Sequence, residues 1–163
     1  MFEFTESIAI AALPSRVWET LEDVESWWPP SNPEHIGMQV GERPIAEGTA
    51  VDFQEKVAGI PGRASGHITE LRPGERITWA GTARYRYMRL IPFTVQEGVS
   101  WTLTPDQDGT RLAAQVWAIF PETLRGRLLE WYATRFVDVI RKDRAHARRE
   151  LEWLKQHIEE GDR

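Results

Sequence analysis

The chain has no cysteine, which removes disulfides, thiolate nucleophiles and thiolate metal ligands together. It has no apolar run near the roughly eighteen residues that a membrane-spanning helix requires. A basic excess is missing as well. The net charge is −5, whereas nucleic-acid binding needs a concentrated cationic face to neutralise phosphates, so no nucleic-acid partner is expected. Lysine is scarce beside arginine, three against seventeen, which reads as the coding bias of a GC-rich bacterial genome and carries no functional weight. No glycine-rich phosphate loop appears, since Gly59-Ile60-Pro61-Gly62 reads as a hairpin turn. The opening MFEFTESIAIAA carries acids where a secretory signal carries basic residues, so a cytoplasmic protein is expected.

What remains is an ordinary globular composition, 41% hydrophobic and 28% charged over 163 residues, which fits a single domain spanning 1–163. Phe2, Phe4, Ile8 and Ile10 alternate with polar or small residues, the period of a strand with one buried face. Pro14 then opens a short helix on which Val17, Trp18, Leu21 and Val24 recur at helical spacing. Three prolines in Trp27-Trp28-Pro29-Pro30-Ser31-Asn32-Pro33 forbid regular helix there. Glycine and proline then mark strand-length segments at 35–40, 48–58, 62–72, 75–83, 85–104 and 110–120. The segment 85–104 exceeds a typical strand, and Ile91-Pro92-Phe93 marks a bulge, a bend or a connection between two strands. After Pro121 the period becomes helical and stays so. One strand, one helix, a run of strands and a long terminal helix make an α+β protein with an antiparallel sheet, because a doubly wound parallel sheet needs alternating helices and strands.

This order resembles the START-like, or helix-grip, superfamily (SRPBCC), and particularly its polyketide cyclase/dehydrase and lipid-transport branch. The resemblance spans nearly the whole chain. It rests on Pro14-Ser15-Arg16-Val17-Trp18, the Trp-Pro loop at 27–30, Gly48-Thr49-Ala50-Val51-Asp52-Phe53, the paired strands within 66–79, Asp108-Gly109-Thr110-Arg111-Leu112, and Leu151-Glu152-Trp153-Leu154-Lys155. It implies a curved antiparallel sheet wrapped around a long C-terminal helix, with a cavity between them for a hydrophobic or aromatic small molecule. A cyclase/dehydratase-type enzyme using an inward carboxylate or tyrosine is the alternative, and an oligomeric or chaperone-associated interaction protein is a third. None of the matching segments is a catalytic signature, so fold leaves the choice open.

The candidate ligand-binding residues are Trp28, Phe53, Trp79, Tyr87, Glu97, Trp101, Tyr132 and Phe136. Phe53, Trp79 and Trp101 offer aromatic surface if they face the helix, and fill the core otherwise. Adjacent Trp27 and Trp28 cannot easily both point inward, so one covers a pocket mouth or meets a partner. Glu97 shares parity with Val95, Val99 and Trp101, and Glu55 with Phe53. An inward carboxylate would be a poised acid or base; solvation at a strand end is the simpler expectation for both. Tyr85 and Tyr87 share a face, and Tyr87 is retained as a hydrogen-bonding candidate. Histidines 35, 67, 146 and 157 lack the paired spacing of a zinc helix, so neither a metal nor another cofactor is expected.

Leu128, Tyr132, Phe136, Val139 and Ile140 form an apolar stripe that Leu151, Leu154 and Ile158 resume. Asp143 and Ala147 thin it between, leaving either room for a ligand or a solvated turn. A straight helix over 122–160 would measure about 58 Å against a domain diameter of roughly 40 Å. A break near Gly126 is therefore expected, the alternative being a projecting end that packs against a second subunit in a homodimer. The pocket is expected over Leu128 to Ile140.

Overall fold

Period-two alternation and Gly/Pro punctuation produce seven strands in the computed structural model, which describes residues 1–57, 59–87, 91–132, 135 and 138–161, the side chains of 87, 91 and 125 aside. The strands are β1 (Phe2–Ile10), β2 (His35–Val40), β3 (Ala50–Val57), β4 (Ile60–Arg72), β5 (Arg76–Tyr87), β6 (Ile91–Asp106) and β7 (Gly109–Ile119). Helices α1 (Pro14–Leu21) and α2 (Val24–Trp27) follow β1, and α3 (Leu124–Tyr132) and α4 (Val139–Gly161) close the chain. The sheet order is β1-β7-β6-β5-β4-β3-β2, every pair antiparallel. From β2 to β7 it is a meander, and β1 closes the order by pairing with β7. This is the expected α+β helix-grip architecture, with α4 packed on the concave face. Among the described residues, no helix is long and apolar enough to cross a membrane.

Three local expectations are corrected. The hairpin between β3 and β4 turns at Gly59 (φ +79°), with Ile60, Pro61 and Gly62 already in β4 and Val57 paired to Ile60; the left-handed backbone that glycine tolerates fixes the turn there. The long segment 85–104 divides between two strands, one of the expected alternatives: it begins in the end of β5 and continues, from Ile91 on, in β6.

The C-terminal helix does break, but not at Gly126. That glycine lies inside α3, where its N–H donates to the Thr123 hydroxyl at 3.1 Å, a side-chain cap on the first turn. A Cβ at Gly126 would lie 1.9 Å from the Pro121 carbonyl oxygen, so the residue is small for close approach. The two helices are separate elements, α3 ending at Tyr132 and α4 starting at Val139. Asp138, at φ +54°, precedes α4, which is about 34 Å long at 1.5 Å per residue and fits the domain. Leu151, Leu154 and Ile158 are buried on it, whereas Leu128 is 63% exposed; the apolar stripe is therefore interrupted between the two helices.

Trp27 and Trp28 both point inward, contrary to expectation, at 1% and 5% exposure. The short helix α2 and the 3-10 turn at Pro29–Ser31 fold the proline loop over the core. The Trp27 indole donates to the Leu21 carbonyl at 2.9 Å and stacks on Trp28 with ring centroids 6.0 Å apart. Trp101 meets both edge-on, at 5.3 and 4.8 Å. Aromatic contacts of this geometry contribute about 0.5–1.5 kcal/mol each beyond area burial.

Candidate functional site

Alternation along β3, β5 and β6 carries the aromatic core toward one end of the groove and turns polar on the way. On β3 the inward residues are Val51, Phe53 and Glu55, on β5 Trp79, Ala83 and Tyr85, and on β6 Val95, Glu97 and Val99. Opposite them α4 presents Val139, Asp143, His146, Ala147 and Glu150, spaced to share one helix face. A cavity of about 110 Å³ lies between, and its rim residues Phe2, Val57, Ile60 and Phe93 are half-buried. It lies under the first three turns of α4, one to two turns beyond the stretch expected. The thinning at Asp143 and Ala147 makes the room, since a larger side chain at 147 would fill it. A second hollow of about 360 Å³, over Gln39, Asp52, Gln54, Arg63 and Ser65, gathers few titratable groups.

Of the sequence candidates, Trp28, Phe53, Trp79 and Glu97 line the cavity. Trp101 does not. It is fully buried behind Trp28, and its indole N–H has no partner among the described residues. Tyr132 is 37% exposed on α3 and does not border the cavity. The side chains of Tyr87 and Phe136 lie outside the described residues. Tyr85 lines the cavity.

At the polar end, the Tyr85 hydroxyl donates to Glu97 Oε2 at 2.9 Å and lies 3.4 Å from Glu55 Oε1. Burial drives Glu97 well above the usual carboxylate range, and the charge of Glu55 adds to it against the opposing hydrogen bond from Tyr85. Burial also raises Glu55, partly offset by His146 and His35. The Tyr85 phenol is pushed up by burial and by both carboxylates. Asp143 rises to about 7, again chiefly by burial, with His146 opposing. Carboxyl groups kept neutral beside a phenol can donate hydrogen bonds and protons at neutral pH.

Next to them two histidines meet. His35 Nε2 and His146 Nε2 are 3.0 Å apart, and Glu150 Oε1 lies 3.0 Å from the first and 3.2 Å from the second. Burial would lower the His146 pKa, but its hydrogen bonds and charge contacts with Glu150, Glu55 and Glu34 raise it to about 10. The same contacts outweigh burial at Glu150 and lower it to about 2. The Trp28 indole donates to Glu150 Oε1 at 3.1 Å, joining the aromatic wall to this cluster. His35, His146 and Glu150 each offer one ligand atom within 4.8 Å of the others. Sequence reasoning passed over all three. His146 and Glu150 stand at i and i+4 on one helix face, a readable signal. His35 has none, because only the β2–β3 register that sets it opposite Glu55 brings it in.

A family model for polyketide cyclase / dehydrase and lipid transport matches residues 1–159. No curated protein matches the chain in sequence. Among solved structures, the Zhui aromatase/cyclase of a Streptomyces species superposes with TM-score 0.70 at 16% identity, over 99% of this chain and 96% of its own. The di-domain aromatase/cyclase StfQ of the steffimycin biosynthetic pathway gives 0.67 at 18% identity, over 98% of this chain and 52% of its own. A protein from Thermus thermophilus gives 0.65 at 16% identity, over 96% of this chain and 97% of its own. At these identities the superpositions speak for the fold.

Proposed function

Because the chain belongs to the polyketide cyclase/dehydrase and lipid transport family, we propose that its cavity binds a small aromatic molecule bearing a hydroxyl or carbonyl group. The observation that carries this reading is one cavity with two unlike ends. Phe53, Trp79, Val95 and Val99 supply apolar walls, while Tyr85, Glu97 and Glu55 supply polar atoms at one end. Such pairing of an apolar lining with a few placed polar groups is how small-molecule sites fix orientation. About 110 Å³ suits a single ring, by comparison with an apolar cavity of about 150 Å³ that takes benzene. A larger ligand requires the rim to open.

The test is calorimetric titration of the metal-free protein with phenol and with toluene. Phenol binds the more tightly, and Tyr85→Phe narrows the gap. Equal affinities, or a gap indifferent to Tyr85, contradict the reading.

Acid–base chemistry in the same cavity is the second reading, favoured by the Glu97 carboxyl, which burial biases toward its neutral form, beside Tyr85. Its carboxyl would give a proton to a ligand carbonyl oxygen while its other oxygen takes one from the adjacent carbon, converting ketone to enol with no net proton change. Enolisation of this kind precedes both cyclisation and dehydration. Deuterium exchange into cyclohexanone, faster than the buffer rate and lost in Glu97→Gln, supports it; exchange at the buffer rate leaves binding alone.

A further inference from the structure

The paired histidines carry an inference beyond ligand binding. The Trp28 carbonyl, which can only accept, lies 2.6 Å from His35 Nδ1, so that nitrogen holds the ring proton and a neutral His35 presents a bare lone pair at Nε2. Glu34 Oε2, 3.1 Å from His146 Nδ1, does the same to the other ring. Both lone pairs then converge on Glu150 Oε1 at 3.0 and 3.2 Å, with Glu55 Oε2 at 3.8 and 3.7 Å from the two nitrogens. Three acceptors thus face one point, with the Glu55 carboxylate beside them. All four side chains are 8–10% exposed, so water does not screen them. A positive charge must stand among them, as protons or as a metal ion.

The donor set and its outer contacts favour the ion. A tetrahedral ion with ligands at about 2.0–2.1 Å needs donor atoms about 3.3–3.4 Å apart; His35 Nε2, His146 Nε2 and Glu150 Oε1 are 3.0–3.2 Å from one another, and Glu55 Oε2 lies 3.8 and 3.7 Å from the two nitrogens. We propose that His35 Nε2, His146 Nε2 and Glu150 bind one divalent transition-metal ion, with Glu55, beside both histidines, moving in as the fourth ligand and zinc the ion best matched to the site. Two imidazoles and two carboxylates suit zinc, whereas calcium and magnesium prefer all-oxygen shells of higher coordination number. The outer contacts are also those a metal site requires. Each ligating imidazole donates its other N–H to a carbonyl or carboxylate, and Glu150 is oriented by the Trp28 indole at 3.1 Å; such partners fix tautomer and ring orientation. Because Glu55, His146 and Glu150 border the cavity, the ion lies at its polar end. The proposal does not depend on the cavity accepting phenol, since it concerns the metal alone.

The test is titration of the chelator-stripped protein with Zn2+ by calorimetry, and with Co2+ by visible absorption, without any organic ligand. One ion per chain and the intense Co2+ bands of a tetrahedral site are expected. His35→Ala and His146→Ala each weaken Zn2+ binding at least about 100-fold, Glu34→Gln weakens it about 10–100-fold through the outer contact, and His67→Ala, on the exposed face of β4, leaves it unchanged. Should an alanine variant fail to fold by circular dichroism, Glu34→Gln and the wild-type cobalt spectrum still decide. Absence of saturable one-to-one binding by the wild type overturns the proposal, as does binding that His67→Ala removes while Glu34→Gln leaves it intact. Loss of phenol binding with zinc binding kept overturns the ligand reading alone.

Discussion

The two ends of the cavity differ in what they do for the fold. At one end Trp28, Phe53 and Trp79 line the cavity and Trp27 and Trp101 back them, Trp101 meeting Trp27 and Trp28 edge-to-face; the Trp27, Trp28 and Trp79 indoles are hydrogen-bonded, that of Trp79 to the Val51 carbonyl at 3.1 Å. Burial there stabilises the protein. At the other end Glu55, Glu97 and Asp143 are all pushed above their ordinary pKa values by the same burial, which means that the fold works against their charged forms. Aromatic packing holds together a site that would otherwise cost stability. A polar group kept at such a cost points to chemistry or recognition.

The largest expected effect is at the dry end. Trp101→Ala should destabilise by about 3–5 kcal/mol, the usual cost of deleting a buried large aromatic, measured as a shift in the urea midpoint. A loss below about 1 kcal/mol would mean that the aromatic wall does not carry the fold.

At the polar end the sign reverses. Asp143 has a folded pKa of about 7 against 3.8 for the free side chain, so between those values the folded chain binds more protons than the unfolded one. Stability therefore falls as pH rises through that window, and the penalty is complete above it. In chelator, Asp143→Asn should raise stability at about pH 8 by on the order of a few kcal/mol, the attraction to His146 being already contained in the raised pKa, and should flatten the slope between about pH 4 and 7. Urea titrations across that range check both, and a variant that loses stability on the alkaline side would break the contrast between the two ends. The smallest effect concerns recognition. Tyr85→Phe should weaken phenol binding about tenfold, the equivalent of about 1.4 kcal/mol, and leave toluene binding unchanged by calorimetry.

The dry end and the sheet were legible in the sequence because their signals are local. Alternation in Phe2 to Ile10 and glycine-proline spacing from residue 35 onward mark strands wherever one face is buried, and the parity of Glu97 with Val95 and Val99 placed it inward. The polar end was largely illegible because it is assembled from five separate segments, at 35, 55, 85, 97 and 143–150, which only register and helix packing bring together. Solvation was the simpler expectation for Glu55 and Glu97, and it fails because α4 covers them. Gly126 misled for a different reason. Its low helix propensity suggested a break, whereas the close approach of the Pro121 carbonyl just before α3 requires a glycine there without breaking the helix.

The most direct test of the two-ended cavity is a crystal structure of the protein with phenol. The ring should lie against Phe53 and Trp79 with its oxygen within hydrogen-bonding distance of Tyr85 or Glu97. A ring bound outside the groove, or one whose oxygen points away from both residues, would contradict the account.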